Sequence, residues 1–103
     1  MARYLVLWSA NAAAWPADPK QTLAVLEGAT AGGDHLLSSG GAKEIGWLTA
    51  QNGYAIFEAD SKSKVLGMVQ PFFPFYEQEI HEIVPWAQGK EALLASAREA
   101  ASR

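Results

Sequence analysis

The chain contains no cysteine, which excludes disulfide bonds, thiolate nucleophiles and cysteine-held metals. It has two histidines, His35 and His81, without the spacing of a metal site, so we predict no bound metal. Charge is also sparse, because only 18% of the residues are charged against about 25% in an average protein. The net charge of −3 provides no basic footprint, so we expect neither nucleic acid nor a membrane as a partner.

Two further absences concern nucleotides and export. The glycines form no strand-to-helix phosphate loop and there is no Gly-x-Ser-x-Gly elbow, so we predict no cofactor and no serine nucleophile. The apolar run at residues 4–8 is too short to span a membrane or to serve as the core of an export signal. We therefore expect a cytoplasmic protein.

Apolar residues are what the chain has in abundance. They make up 50% of its 103 residues, and this length is near the commonest size of a single domain. We predict one domain over residues 1–103. So apolar a composition on so small a protein favours burial of part of the surface by a partner.

Hydrophobic periodicity and turn residues predict the elements of secondary structure. Asp18 and Pro19 are a favourable helix start, and Gly40-Gly41 a stop. Asn52-Gly53 is a strong signal for a tight hairpin turn. The predicted strands are residues 3–9, 43–51, 54–60 and 76–86, the last at a sheet edge because of Pro85, and the predicted helices start at residues 19, 62 and 90 and end near residues 39, 70 and 101.

The predicted order is β-α-β-β-α-β followed by one more helix. This order indicates an α+β, ferredoxin-like fold with a four-stranded antiparallel sheet and helices on one face only. Gly32-Gly33 lies inside the first predicted helix, which either breaks there or uses the glycines to approach the sheet closely. We expect a continuous or slightly kinked helix.

The face of the sheet that carries no helices is the surface available for binding or assembly. Alternation along the strands places Leu5, Leu7, Ala55 and Phe57 under the helices. The opposite set is predicted to form the open face: Tyr4, Val6, Trp8, Ile45, Trp47, Thr49, Tyr54, Ile56 and Glu58. Four of these nine side chains are aromatic, a patch larger than monomers usually expose. We therefore predict a homodimer formed through this face.

A small-molecule cavity between the two sheets is compatible with such a dimer. Its apolar walls would be Tyr4, Trp8, Trp47 and Tyr54. Glu58 is the one carboxylate predicted among them, and burial there would raise its pKa and suit it to proton transfer. His81 is a second candidate if it faces the same side, although an exposed position among glutamates is the alternative. Pairing of Glu58 with Arg3 is the alternative for the carboxylate.

Three segments resemble a known superfamily. They are SGGAKEIG at residues 39–46, NGYAIFEAD at residues 52–60 and EIHEIVP at residues 79–85. They are similar to small bacterial and archaeal domains related to muconolactone isomerase and the YCII-like proteins, within the dimeric α/β-barrel superfamily. The resemblance implies a ferredoxin-like protomer, a dimer formed sheet to sheet and a site in the cleft beside the sheet. It also implies an acidic role for Glu58.

The function expected from the sequence is binding of a small hydrophobic or aromatic compound. Cofactor-free, isomerase-like proton transfer by Glu58 and His81 is the catalytic form of this hypothesis. One alternative is a non-enzymatic interaction protein whose aromatic face is consumed by dimer packing. Another is a haem- or flavin-assisted monooxygenase-like protein, because the superfamily hosts several chemistries.

Overall fold

The computed structural model describes all 103 residues and contains one four-stranded sheet and three α-helices. The elements are β1 (Ala2–Ala10), α1 (Pro19–Ser38), β2 (Ala42–Trp47), β3 (Asn52–Ala59), α2 (Lys62–Val69), β4 (Tyr76–Ile83) and α3 (Trp86–Ala101), with a short 3-10 turn at Gln70–Phe72. Their order confirms the α+β, ferredoxin-like fold class with an additional C-terminal helix.

The sheet is antiparallel throughout and its strands are ordered β2-β3-β1-β4. The central strands are therefore β1 and β3, and β4 is an edge strand, as predicted. Leu5 of β1 lies opposite Ile56 on one side and His81 on the other. This register determines which side chains share a face, because side chains that are directly opposite point the same way.

The core lies between the sheet and the helices α1 and α2. Val6 and Phe57 are each 1% exposed at its centre. The other core residues are Tyr4, Ala42, Ala55, Ala59, Val65 and Val69. Full burial of a side chain such as Val or Phe stabilises the fold by about 1.5–3 kcal/mol.

The predicted orientation of β1 is wrong. Tyr4, Val6 and Trp8 face the helices, whereas Leu5 and Leu7 lie on the open face. Residues 4–8 are all apolar, so the sequence lacks the alternation with polar residues that fixes the phase of a half-buried strand.

The predicted turn between β2 and β3 is also wrong. Asn52 and Gly53 are the first residues of β3, and the loop is formed by residues 48–51. Inside the loop, the Thr49 hydroxyl donates to the Asn52 side-chain oxygen over 2.7 Å. The longer loop also shifts the register of β2 against β3. Ile45 and Trp47 therefore pair with Ala55 and Gly53 and face the helices, not the open face as predicted.

The predicted cap of α1 is present, and α2 is capped in the same way. The Asp18 carboxylate accepts a hydrogen bond from the Lys20 amide at 3.2 Å, and the Ser61 hydroxyl accepts one from the Lys64 amide at 3.3 Å. α1 continues through Gly32-Gly33, which confirms the continuous helix. None of its side chains is fully buried, so α1 packs loosely on the sheet.

The helix α3 extends away from the rest of the chain. It starts four residues earlier than predicted, because Gly89 lies within its first turn and its amide donates to the Pro85 carbonyl at 3.0 Å. The molecule measures 64 × 29 × 21 Å, and its radius of gyration is 17.7 Å against about 13 Å for a compact chain of this length. No helix is both long and apolar enough to cross a membrane.

Candidate functional site

Two tryptophans meet over a glycine on the helix-facing side of the sheet. Gly53 lies between Trp47 of β2 and Trp8 of β1 in the register of the strands. A β-carbon on Gly53 would lie 2.3 Å from the Trp8 ring, so only glycine leaves room for it. The rings of Trp8 and Trp47 contact each other edge to face, with centroids 5.0 Å apart.

Tyr76 and Trp15 extend this pair into a chain of four rings. Tyr76 is the first residue of β4, and its ring lies edge to face against Trp8 at 5.6 Å. Trp15, from the loop before α1, contacts the other side of Tyr76 at 5.6 Å. Burial raises the pKa of Tyr76 above the ordinary 10.0, so its hydroxyl stays protonated at neutral pH.

A cavity of about 200 Å³ lies between these rings and α1. We call it the aromatic cavity. Its floor includes Trp8, Trp47 and Tyr76, and its roof is the segment of α1 around Gly33. The remaining wall residues are Val6, Ala29, Thr30, Asp34, Leu36, Leu37, Ile45, Ala55, Phe57, Val69, Phe72 and Gln78.

Small residues on α1 leave the space open. A β-carbon on Gly33 would have the Ile45 side chain at 3.9 Å as its nearest neighbour, so the space beneath this residue is unfilled. One residue earlier the helix is in close contact, because a β-carbon on Gly32 would lie 3.1 Å from the Phe72 ring. The glycine pair therefore holds α1 against Phe72 while leaving the aromatic cavity empty beside it.

Few polar groups line the aromatic cavity. The Thr30 hydroxyl donates to the Leu26 carbonyl at 2.8 Å, and the Gln78 amide nitrogen donates to the Val69 carbonyl at 3.4 Å. Asp34 is exposed and takes part in none of the four ion pairs of the chain. Thr30, Asp34 and Gln78 thus present oxygens that can accept hydrogen bonds from a bound molecule.

A second, wider groove lies on the other side of α1. It encloses about 530 Å³ and is bordered by Gly28 and His35 of α1 together with Met68, Pro71 and Phe75. No tryptophan lines it. Because aromatic walls with a few polar groups are typical of small-molecule sites, the aromatic cavity is the stronger candidate.

The open face of the sheet differs from its prediction. Its centre is Leu5, Leu7, Tyr54 and Ile56, so it is mainly aliphatic rather than aromatic. Polar side chains, most of them charged, surround this centre: Arg3, Glu44, Glu58, Glu77, Glu79 and His81.

Glu58 and His81 both lie on the open face, but they do not meet. Glu58 is on β3 and pairs with Arg3 at 3.7 Å, with 38% of its side chain exposed. His81 is on β4, two strands away, and contacts Glu79 at 3.4 Å. The expectation of a carboxylate enclosed by aromatic rings is therefore wrong for the single chain. The sheet separates both residues from the aromatic cavity.

The predicted ligand-binding aromatics lie on two different faces. Trp8 and Trp47 line the aromatic cavity. Tyr4 belongs to the core and donates to Glu82 at 3.3 Å; burial, then the charge and the hydrogen bond of Glu82, raise its pKa. Tyr54 lies on the open face, where its hydrogen bond to Glu44 is the main cause of a raised pKa.

Sequence reasoning missed Tyr76, Gly33 and Asp34 as residues of the site. Leu26, Thr30, Gly33 and Leu37 recur at helical spacing, a signal that could have placed Gly33 on the inner side of α1. A glycine there indicates either close contact or an empty space, and in the fold Gly32 contacts Phe72 closely whereas Gly33 has only the Ile45 side chain within 4 Å.

No three acidic or histidine side chains converge in a way that could hold a metal ion. No family model matches the chain, and no curated protein matches it either. Membership of the dimeric α/β-barrel superfamily therefore stays a prediction.

Proposed function

We propose that the protein binds a small, mainly apolar compound with a single ring in the aromatic cavity. The observation that carries this proposal is an unfilled space of about 200 Å³ bordered by Trp8, Trp47 and Tyr76. The aromatic cavity opens to solvent beside Trp47 and Leu37, which are 57% and 44% exposed. An apolar cavity of about 150 Å³ accommodates benzene, so the volume suits a one-ring compound.

The size of the aromatic cavity disfavours a large cofactor at this position. Pockets for drug-sized ligands occupy about 300–1,000 Å³, and this cavity is smaller. A haem- or flavin-assisted reaction is therefore not supported here. Binding, rather than a particular reaction, is what the geometry favours.

Titration with 2-phenylethanol, followed by nuclear magnetic resonance, tests the proposal. The chain has four tryptophans, and each gives its own indole N–H signal. We expect the signals of Trp8 and Trp47 to shift, because both rings line the aromatic cavity. The signal of Trp86 should stay in place, because this ring is 84% exposed on α3.

A matched pair of glycine substitutions locates the bound compound. Gly33→Leu places a side chain in the aromatic cavity, whereas Gly28→Leu adds the same side chain to α1 beside the wider groove. Both changes increase helix propensity by about 1 kcal/mol, so neither should unfold the protein. We expect Gly33→Leu to abolish binding and Gly28→Leu to leave it unchanged. Loss of binding only in Gly28→Leu would place the compound in the groove and contradict the proposal.

We propose further that a second copy of the chain covers the open face of the sheet. An aliphatic centre inside a rim of charged residues is the usual anatomy of a protein interface. The helix α3 adds a second uncovered apolar surface, because Trp86 and Leu93 are 84% and 74% exposed. Both surfaces, and the resemblance to dimeric α/β barrels, favour a homodimer.

Catalysis by Glu58 and His81 stays a prediction that depends on this dimer. Neither residue reaches the aromatic cavity, so each would need a substrate bound between the two sheets. A homodimer without such a substrate would correspond to the non-enzymatic alternative for the open face.

A further inference from the structure

The aromatic cavity is lined by a single charged side chain, and that charge is negative. Asp34 is the only residue among its 16 lining residues that is charged at neutral pH, and no lysine, arginine or histidine is among them. The nearest histidine in sequence, His35, lines the groove on the other side of α1. A negatively charged ligand would therefore meet a carboxylate and no counterion.

The hydrogen-bonding groups show the same bias. The hydroxyl hydrogen of Thr30 and one of the two amide hydrogens of Gln78 already donate to backbone carbonyls. The side-chain oxygens of Thr30, Gln78 and Asp34 outnumber the one remaining amide hydrogen of Gln78, so the lining favours a ligand that donates. An ammonium group has three donors and no acceptor.

The aromatic walls also favour a positive charge. The faces of tryptophan and tyrosine rings carry negative electrostatic potential and attract cations within about 6 Å. In the edge-to-face contacts of Trp8 with Trp47 and Tyr76, the ring planes are 84° and 83° apart. Because these planes are nearly perpendicular, the ring faces point in more than one direction.

We propose, resting on the function proposed above, that the ligand is a small primary amine with one apolar ring. The ring occupies the space between Trp8, Trp47 and Gly33, and the ammonium group lies at the Asp34 side, where Thr30, one helical turn earlier, accepts a further hydrogen bond. Asp34 repels small carboxylates of the same shape, which therefore bind more weakly. The cavity thus selects by charge as well as by size.

Three probes of similar shape separate charge from size: 2-phenylethylamine, 2-phenylethanol and 3-phenylpropionate, titrated into the full-length protein at low salt. We expect the amine to bind about fivefold more tightly than the alcohol, because an exposed ion pair and a cation–aromatic contact are each modest in size. The carboxylate should bind more weakly than the alcohol. All three dissociation constants can be followed on the Trp8 and Trp47 signals.

Asp34→Asn tests the origin of the preference. It should lower the affinity for the amine to about that for the alcohol, and it should affect the alcohol much less, because the asparagine oxygen can still accept the hydroxyl hydrogen. Asp60→Asn is the control, because it changes the net charge by the same amount. Asp60 lies beyond the end of β3 and does not line the aromatic cavity, so this variant should alter none of the three dissociation constants. An equal effect of both variants would mean that the overall charge of the protein, and not Asp34, sets the preference, and would overturn the proposal.

The possible failures are distinguishable. If the alcohol binds but the amine binds no better, the ligand class is wrong while the aromatic cavity remains a binding site. If none of the three probes shifts the Trp8 and Trp47 signals, the function proposed above fails as well.

Discussion

At the scale of single residues, two glycines opposite aromatic rings shape the sheet. Gly53 allows the Trp8 ring to lie across the helix-facing side, and Gly46 allows the Tyr54 ring to lie across the open side. Glycine inside a strand usually weakens it through backbone entropy and a lack of packing. Here each glycine is covered by the aromatic ring of its cross-strand partner, which restores the lost contact.

Gly53→Ala should destabilise the fold by about 1–3 kcal/mol, the usual cost of overpacking. The added methyl group would lie 2.1 Å from the Gly46 carbonyl oxygen, which belongs to the backbone and cannot rotate away. Gly28→Ala is the matched control. It has no neighbour within 4 Å and should stabilise α1 by about 0.5–1 kcal/mol. Urea unfolding of the two variants should therefore give changes of opposite sign, and a Gly53→Ala protein as stable as the parent would contradict this account.

At the scale of elements, α1 is held less firmly than the strands beneath it. It has no fully buried side chain, whereas the shorter α2 buries Val65 and Val69. Regions with few buried apolar contacts open locally at a lower free energy than the core. Because α1 roofs the aromatic cavity, we expect its local openings to help admit the proposed ligand.

Hydrogen exchange should show this difference between elements. We expect the backbone amides of α1 to exchange through openings of lower free energy than those of β1, β3 and α2. Saturating 2-phenylethanol should slow exchange in α1 more than in α2, because six of the lining residues belong to α1 and only Val69 belongs to α2. Equal protection of α1 and the central strands without ligand would contradict the loose packing described here.

The secondary-structure elements were largely predictable from the sequence. The side of the sheet on which each side chain lies was only partly predictable. The two polar residues of β3, Asn52 and Glu58, share one face of the strand, so Phe57 was placed correctly under the helices and Glu58 on the open face. The β1 strand is apolar on both faces, so its phase depends on tertiary contacts such as that of Trp8 with Gly53. The aromatic cavity could not be predicted for the same reason, since it forms where three strands place their rings beneath α1.

At the scale of the whole molecule, two surfaces are left for a partner to cover. Neither the aliphatic centre of the open face nor the exposed apolar side of α3 finds a partner within its own chain. An interface that repeats the same patch on both subunits is the usual route to a symmetric dimer.

Ile56→Arg should convert the proposed dimer to a monomer. Ile56 lies at the centre of the open face, and its neighbour Glu44 on β2 can pair with the new arginine in a folded monomer. Leu23→Arg is the control, because Leu23 is 57% exposed on α1. Sedimentation at micromolar concentration should show a dimer for the parent and the control and a monomer for Ile56→Arg. A parent protein that sediments as a monomer would remove the dimer proposal.

The contact of Gly53 with Trp8 also has an evolutionary consequence. The two residues lie on different strands, and a change in either one disturbs their contact. A side chain at position 53 would displace the Trp8 ring, and a smaller residue at position 8 would uncover the glycine. Homologous chains should therefore keep both residues or exchange both. Exchange of only one of the two residues gives a less stable protein, so we expect positions 8 and 53 to vary together.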